Sequence, residues 1–415
     1  MKHLFILTTR YPFAPGEEFF EEEVLLWARQ SNFIVHLVPL QRTKVVRSYP
    51  KGLILDLTIA NKNTKWRKIA YVIPAILSKE FWIDIVYLKR ERKLGSKNLI
   101  RLIRSMASFC LFLPLLKNIA RTAGSQATVY SYWNAEMSYA AAKLKHQKKF
   151  SEIVTRLHRF DIYEERYPGG YIPLKRQFMG FYDHIMLLSE EAKTYVELRY
   201  GANSSQTSVE RLGVEVPPAV CPIPSKAHFH IISVSFCVPV KGIDKIVHAL
   251  SAFADACPEL RVSWTHIGNG PLLEEIQNLA EKELDRKVDF DFAGYKENSE
   301  VKRIYQEQSF DVFINCSRSE GVPVSIMEAM SAGIPAIAPN VGGIKELLGD
   351  TGYLMSSSPD ILEVRNALIE IEKISKVYET RIKARARIST LYNARQNYTA
   401  LITSISKTSS MGQDQ

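Results

Sequence analysis

Cysteine is scarce and falls in no paired pattern. The five, Cys110, Cys221, Cys237, Cys257 and Cys316, are odd in number, scattered and never spaced CxxC. That argues against a disulfide framework or a cysteine zinc site and suits a reducing compartment. Long apolar runs are also missing. No stretch reaches the roughly 18 apolar residues of a membrane-spanning helix. The nearest, Met106 to Leu116, is short and contains Pro114, so the chain is expected to be soluble or peripheral. The opening Met1-Lys2-His3-Leu4-Phe5-Ile6-Leu7 is a short apolar run followed by Arg10, without a small-residue cleavage site. It reads as a first buried strand and not as a signal peptide. No DxD-type acidic motif follows a strand in a metal-binding context, so no metal and no cofactor is expected.

Acid is nearly absent from one long segment. Between positions 41 and 125 there are 18 Lys and Arg against Asp56, Glu80, Asp84 and Glu91, a net +14 where the whole chain carries +10. The basic residues alternate with Trp66, Ile69, Tyr71, Val72 and Ile73, then with Phe81, Trp82, Ile85, Val86 and Tyr87. Basic amphipathic helices with Trp and Tyr suit an anionic membrane surface. Nucleic acid is the other charged partner, but no RNA- or DNA-binding motif accompanies the charge, so none is expected. An ordinary helical subdomain with a solvated basic face fits the same residues.

What is present is a globular composition, 46% hydrophobic and 24% charged over 415 residues, long enough for two domains. Strand patterns fall at 3–9, 33–40, 128–132, 152–158 and 184–189. A second series falls at 228–236, 261–268, 287–293, 311–317 and 335–339. Helical patterns lie between, among them 16–29, 243–256, 271–284 and 325–332. Strands apolar on both faces and alternating with helices predict doubly wound parallel α/β sheets. The proline-rich stretch Leu212 to Lys226 reads as a linker. The expected organisation is a first domain over 1–212 with a basic helical insert at about 41–125, and a second over 213–390. A C-terminal helix in 391–415 returns to the first domain before a frayed tail. Two such domains leave a cleft at the carboxyl ends of their strands.

The most informative stretch is Ser319-Glu320-Gly321-Val322-Pro323-Val324-Ser325-Ile326-Met327-Glu328-Ala329-Met330. Two carboxylates stand eight positions apart, one beside a turn glycine and one in the second turn of a helix that opens at about Pro323. An apolar strand, Asp311 to Ser317, precedes them. Strand, glycine loop and helix in that order aim backbone N–H groups and a helix dipole at an anion. A sugar nucleotide would reconcile the elements, its phosphates taking the N–H groups and its hydroxyls the carboxylates. The spacing alone equally fits a helix that merely begins acidic.

From Asp311 to Leu354 the chain resembles the donor site of family 4 glycosyltransferases, retaining enzymes of the GT-B fold. Glu320 to Glu328 matches their E-x7-E motif, and Gly333-Ile-Pro335 and Gly342-Gly343-Ile-Lys-Glu346 follow in the family's order. The resemblance is strong over the second domain and weak over the rest. It implies two doubly wound Rossmann-like domains facing a central cleft. It also implies that Glu320 holds donor-sugar hydroxyls and Glu328 the ribose hydroxyls. Gly321, Val322 and Val324 would offer N–H groups to diphosphate or sugar, while Pro323, having no N–H, starts the helix at its first position. Lys241 resembles the diphosphate lysine that stabilises the leaving group. The family's arginine five positions earlier is here Phe236. His158 resembles the histidine near the donor sugar, and Asp161 is expected to orient its loop. Main-chain contacts to the base fall at Gly294-Tyr295-Lys296, and Gly268-Asn269-Gly270 is a structural turn. Gly16 lies in the loop near the diphosphate. Arg10, Tyr11, Tyr130, Trp133 and Arg159 are acceptor-side candidates, though the aromatics among them fit the core as well.

The resemblance implies transfer of a sugar from a nucleoside-diphosphate sugar to a hydroxyl with retained configuration. Joined to the basic segment, it points to a lipid-linked saccharide acceptor in surface-polysaccharide or lipopolysaccharide synthesis. The expected location is the cytoplasmic face of the plasma membrane. Another GT-B enzyme such as a sugar-nucleotide epimerase, or a non-catalytic sugar-nucleotide or polysaccharide-binding protein, remains open; Phe236 keeps the latter alive.

Overall fold

The computed structural model describes residues 1–411 except Pro15 and Ser125, with side chains for all of these but Glu18 and 407–411. The chain divides into two compact units. One is residues 1–210 rejoined by the chain from Tyr398 onward, the other Arg211–Asn397.

The first unit is built on a seven-stranded sheet of order β3-β2-β1-β4-β5-β6-β7. Its strands are β1 Lys2–Thr8, β2 Phe33–Pro39, β3 Ile54–Leu55, β4 Thr128–Ser131, β5 Glu152–Arg156, β6 His184–Leu187 and β7 Thr207–Val209. All neighbours are parallel. The pleat explains why β1 is apolar throughout. Phe5 and Leu7 enter one core, with Phe109 and Phe112 of the helix Ser96–Ala123. Leu4 and Ile6 enter the other, with Trp27 and with Leu401, Ile402 and Ile405 of the C-terminal helix Ala394–Met411. Successive residues of a strand face opposite sides, and here helices cover both.

The second unit has six parallel strands in the order β10-β9-β8-β11-β12-β13. They are β8 His228–Val234, β9 Arg261–Ile267, β10 Val288–Gly294, β11 Val312–Ile314, β12 Ala336–Pro339 and β13 Tyr353–Met355. The two parallel α/β sheets expected from the sequence are present. β3, β7 and β13 were not expected; runs of two or three residues are too short to carry a periodicity.

One expectation is corrected. The helix Ser96–Ala123 is, by length and composition, long and apolar enough to cross a membrane. The run Met106–Leu116 is only its most apolar part, and Pro114 lies inside the helix without ending it. Of its most apolar window, 56% is buried inside the protein. Leu102, Met106, Phe109 and Leu116 are in the core, so it serves as the central helix of the insert.

Candidate functional site

In the second unit the loops leaving the carboxyl ends of the strands are knitted together by their backbones. Cys237 N–H, after β8, donates to Asn269 O after β9 at 2.7 Å, and Gly268 N–H donates to Gly294 O at the end of β10 at 2.9 Å. Arg318 N–H, after β11, donates to Val240 O at 2.8 Å, and Gly343 N–H, after β12, donates to Gly321 O at 2.7 Å. Two glycines permit these approaches. Gly242 has φ +61, and a Cβ there would lie 2.5 Å from Cys316 O. Gly342 has φ +56, and a Cβ would lie 2.1 Å from Glu320 O. Gly268-Asn269-Gly270 is thus a structural turn.

This frame brings Lys241 to Glu320, with Nζ donating to Oε1 at 2.6 Å. Lys241 ends a single helical turn, Pro239–Lys241, and Glu320 is buried. Glu328 lies in the second turn of the helix Val324–Ser331, fixed there because Ile326, Met327, Ala329 and Met330 are all fully buried. Pro323 is corrected from first helical residue to cap: its ψ of 118° is extended and Val324 opens the helix. Gly321, Val322 and Val324 precede or enter that first turn, whose N–H groups have no partner within the helix. Glu328 accepts a hydrogen bond from Asn298 Nδ2 at 2.7 Å. Its charge, after burial, raises the Tyr305 phenol well above the ordinary range. Asn298 was missed in the sequence, although Glu297 to Glu300 carries a legible helix start, Glu297 capping Asn298–Glu307. Tyr295 is exposed, its hydroxyl 3.1 Å from Glu297, and Lys296 follows it half-buried. Phe236 is exposed in the loop after β8.

The remaining candidates belong to the first unit. His158 follows β5, with its ring centroid 4.3 Å from Trp133, 4.9 Å from Tyr132 and 5.9 Å from Phe19. Its ring nitrogens are buried without a hydrogen-bond partner among the described residues. Burial, then the Arg156 charge, holds its pKa well below the usual histidine value, so the ring is neutral at pH 7. Asp161 does orient the loop: its carboxylate accepts from His158 N–H and Asn134 N–H, both at 2.7 Å. Asn134 in turn accepts from the buried Lys175 Nζ at 2.6 Å, an arrangement without a sequence signal.

Glu17 organises the loop after β1. Its carboxylate accepts from the N–H groups of Thr9, Arg10 and Tyr11 at 2.9, 2.6 and 2.6 Å, and from Trp133 Nε1 at 2.5 Å. Gly16 in this loop has φ +108. Tyr11 and Tyr130 are fully buried and part of the core, while Arg10 and Arg159 are half-buried.

Residues 224–388 match the family described as glycosyl transferases group 1, a span inside the second unit. The chain is 29% identical over 145 residues to sulfoquinovosyl transferase SQD2 of Arabidopsis thaliana, covering 34% of this chain and 26% of that protein. It is 26% identical over 215 residues to the amylovoran biosynthesis glycosyltransferase AmsK of Erwinia amylovora, covering 48% and 51%. The alignments thus span about a quarter to a half of these relatives' lengths. Over 98% of this chain and 100% of the other, the fold is that of HepE of Anabaena, crystallised with UDP, at TM-score 0.64 and 16% identity. The fold is GT-B, and the family match supports a glycosyltransferase.

Proposed function

We propose that the protein is a retaining glycosyltransferase of the family 4 type. It would move a sugar from a nucleoside-diphosphate sugar to a hydroxyl of a lipid-linked saccharide during surface-polysaccharide or lipopolysaccharide synthesis. It would work at the cytoplasmic face of the plasma membrane. The observation that carries this reading is the Lys241–Glu320 pair on strand-end loops, followed by Glu328 in the second turn of the next helix, all within the matched span. Donor binding would exchange the internal pair for ligand: Lys241 to the diphosphate, Glu320 to sugar hydroxyls, Glu328 to the ribose. The bond from the anomeric carbon to the diphosphate oxygen breaks, and the acceptor oxygen bonds that carbon on the same face. The acceptor proton passes to the departing phosphate. No side-chain nucleophile is needed; positioning and leaving-group stabilisation supply the rate. One relative is named for sulfoquinovosyl transfer and another for amylovoran biosynthesis, which supports sugar transfer in a biosynthetic role.

The test is a screen of donors for nucleoside-diphosphate release. Release that disappears in Glu320→Gln is expected. Donor binding without any release would favour the non-catalytic alternative, which the exposed Phe236 keeps in play.

A further inference from the structure

In the helical insert of the first unit, two acids turn inward and several large apolar side chains turn outward. In the helix Lys79–Arg90 the inward residues are Glu80, Phe81, Asp84 and Leu88. Both carboxylates are consumed there. Glu80 accepts from Lys143 Nζ at 2.8 Å. Asp84 accepts from the Tyr171 hydroxyl at 2.5 Å, and from Leu174 N–H and Gln177 Nε2 at 2.7 Å each. Besides Lys79, Lys89 and Arg90, the exposed residues are apolar: Trp82, Ile83 and Val86 are 54%, 48% and 65% exposed. The two preceding helices, Lys65–Ala70 and Val72–Leu77, expose Trp66, Ile69, Ile73 and Leu77 by 83%, 60%, 71% and 76%. Trp66 and Ile69 are one turn apart on the first of these helices, and Ile73 and Leu77 one turn apart on the second, so each helix exposes an apolar pair on one face. All three helices pack on Ser96–Ala123, so the exposed groups belong to one subdomain.

A water-facing helix ordinarily turns its acids out and its aliphatics in. With Glu80 and Asp84 withdrawn, the one acid left outside between Thr58 and Arg104 is Glu91, while Lys65, Arg67, Lys79, Lys89 and Arg90 are all exposed. We infer that this face docks on an anionic lipid bilayer. Isoleucine, leucine and valine have nothing to gain from a phosphodiester strand, whereas they enter acyl chains. Tryptophan suits the boundary between acyl chains and headgroups, and the cations meet anionic headgroups. Exposed apolar surface of this kind marks an interaction site, and its charge of one sign selects lipid over a second copy of this chain, which would bring the same charge. The inference deepens the membrane-side reading above but needs no glycosyl transfer for its test.

The full chain is floated with vesicles of phosphatidylcholine, with and without phosphatidylglycerol. Two variants accompany it: Trp66→Glu/Ile73→Glu/Leu77→Glu, and Lys65→Gln/Arg67→Gln/Lys79→Gln/Lys89→Gln. Each variant is required to keep the wild-type circular-dichroism melting curve, as exposed positions allow. Wild type is expected to bind the anionic vesicles at least about tenfold better than the neutral ones, and each variant to lose about tenfold. The inference is overturned if wild type does not float, if it floats equally with both vesicles, or if the triple variant floats like wild type. Sedimentation that shows a dimer in wild type and a monomer in the triple variant, without vesicle binding, assigns the face to a second copy instead. Nucleoside-diphosphate binding by thermal shift is read in parallel. Flotation without nucleotide binding would sink the transferase reading and leave this one standing.

Discussion

Lys241 and Glu320 satisfy each other at 2.6 Å. A buried carboxylate needs a partner, and the partner here is a cation of the kind a diphosphate would seek. Lys241→Ala is expected to lower turnover more than tenfold, because Phe236 stands where the family's arginine would be five positions earlier; initial rates at saturating donor check it, with the melting midpoint read alongside because the buried Glu320 loses its partner. An unchanged rate would remove Lys241 from the site. Asn298 acts through Glu328, to which it donates at 2.7 Å. A hydrogen bond to a charged group is worth about 1.5–3 kcal/mol, so Asn298→Ala should raise the donor KM by about tenfold or more while leaving kcat nearly unchanged. A fall in kcat with constant KM would contradict that role.

At the scale of elements, loop geometry is set by neighbours distant in sequence. Gly342→Ala would place a Cβ 2.1 Å from Glu320 O in a left-handed backbone, at a cost of about 1–3 kcal/mol. Because the atom struck belongs to Glu320 itself, the expected outcome is lower donor affinity as well as a lower melting midpoint, read by calorimetry with and without donor. In the insert, Asp84 satisfies three donors. Asp84→Ala strands them in the interior and is expected to destabilise the first unit by roughly 3 kcal/mol, measured by denaturant unfolding. Most strands and helices such as Ile243–Ala256 and Leu273–Leu284 were legible because an apolar run or a 3.6-residue pattern is a local property; β3, β7, β13 and the full extent of Ser96–Ala123 were not. Nor was the inward turn of Glu80 and Asp84. Both faces of Lys79–Arg90 carry apolar residues, so periodicity could not say which faces inward; the donors at 143, 171, 174 and 177 did.

Across the molecule, burial lowers the pKa of His36, His158, His184 and His230, and that of His266 to about 4. A histidine with a lowered folded pKa binds its proton more readily when unfolded. Stability therefore falls as pH drops from about 6.5 toward the folded value. Asp84 and Asp161, raised chiefly by burial, work in the opposite direction between their unfolded and folded values. Five groups against two predict a melting midpoint that declines between pH 7 and pH 5. A midpoint that rises over that interval in calorimetry would contradict the account.

By itself the sequence determined the two parallel sheets, the order of the strand-end loops and the Glu320–Glu328 spacing, because each depends on residues close along the chain. Only the tertiary structure decided that Lys241 meets Glu320 across 79 residues, that Asn298 holds Glu328, and that Glu17 gathers three backbone N–H groups. It also decided that Glu80 and Asp84 of the insert turn inward while Trp66, Ile73, Leu77 and Val86 face outward. These are contests over burial between segments far apart, and a buried carboxylate settles where donors are already fixed.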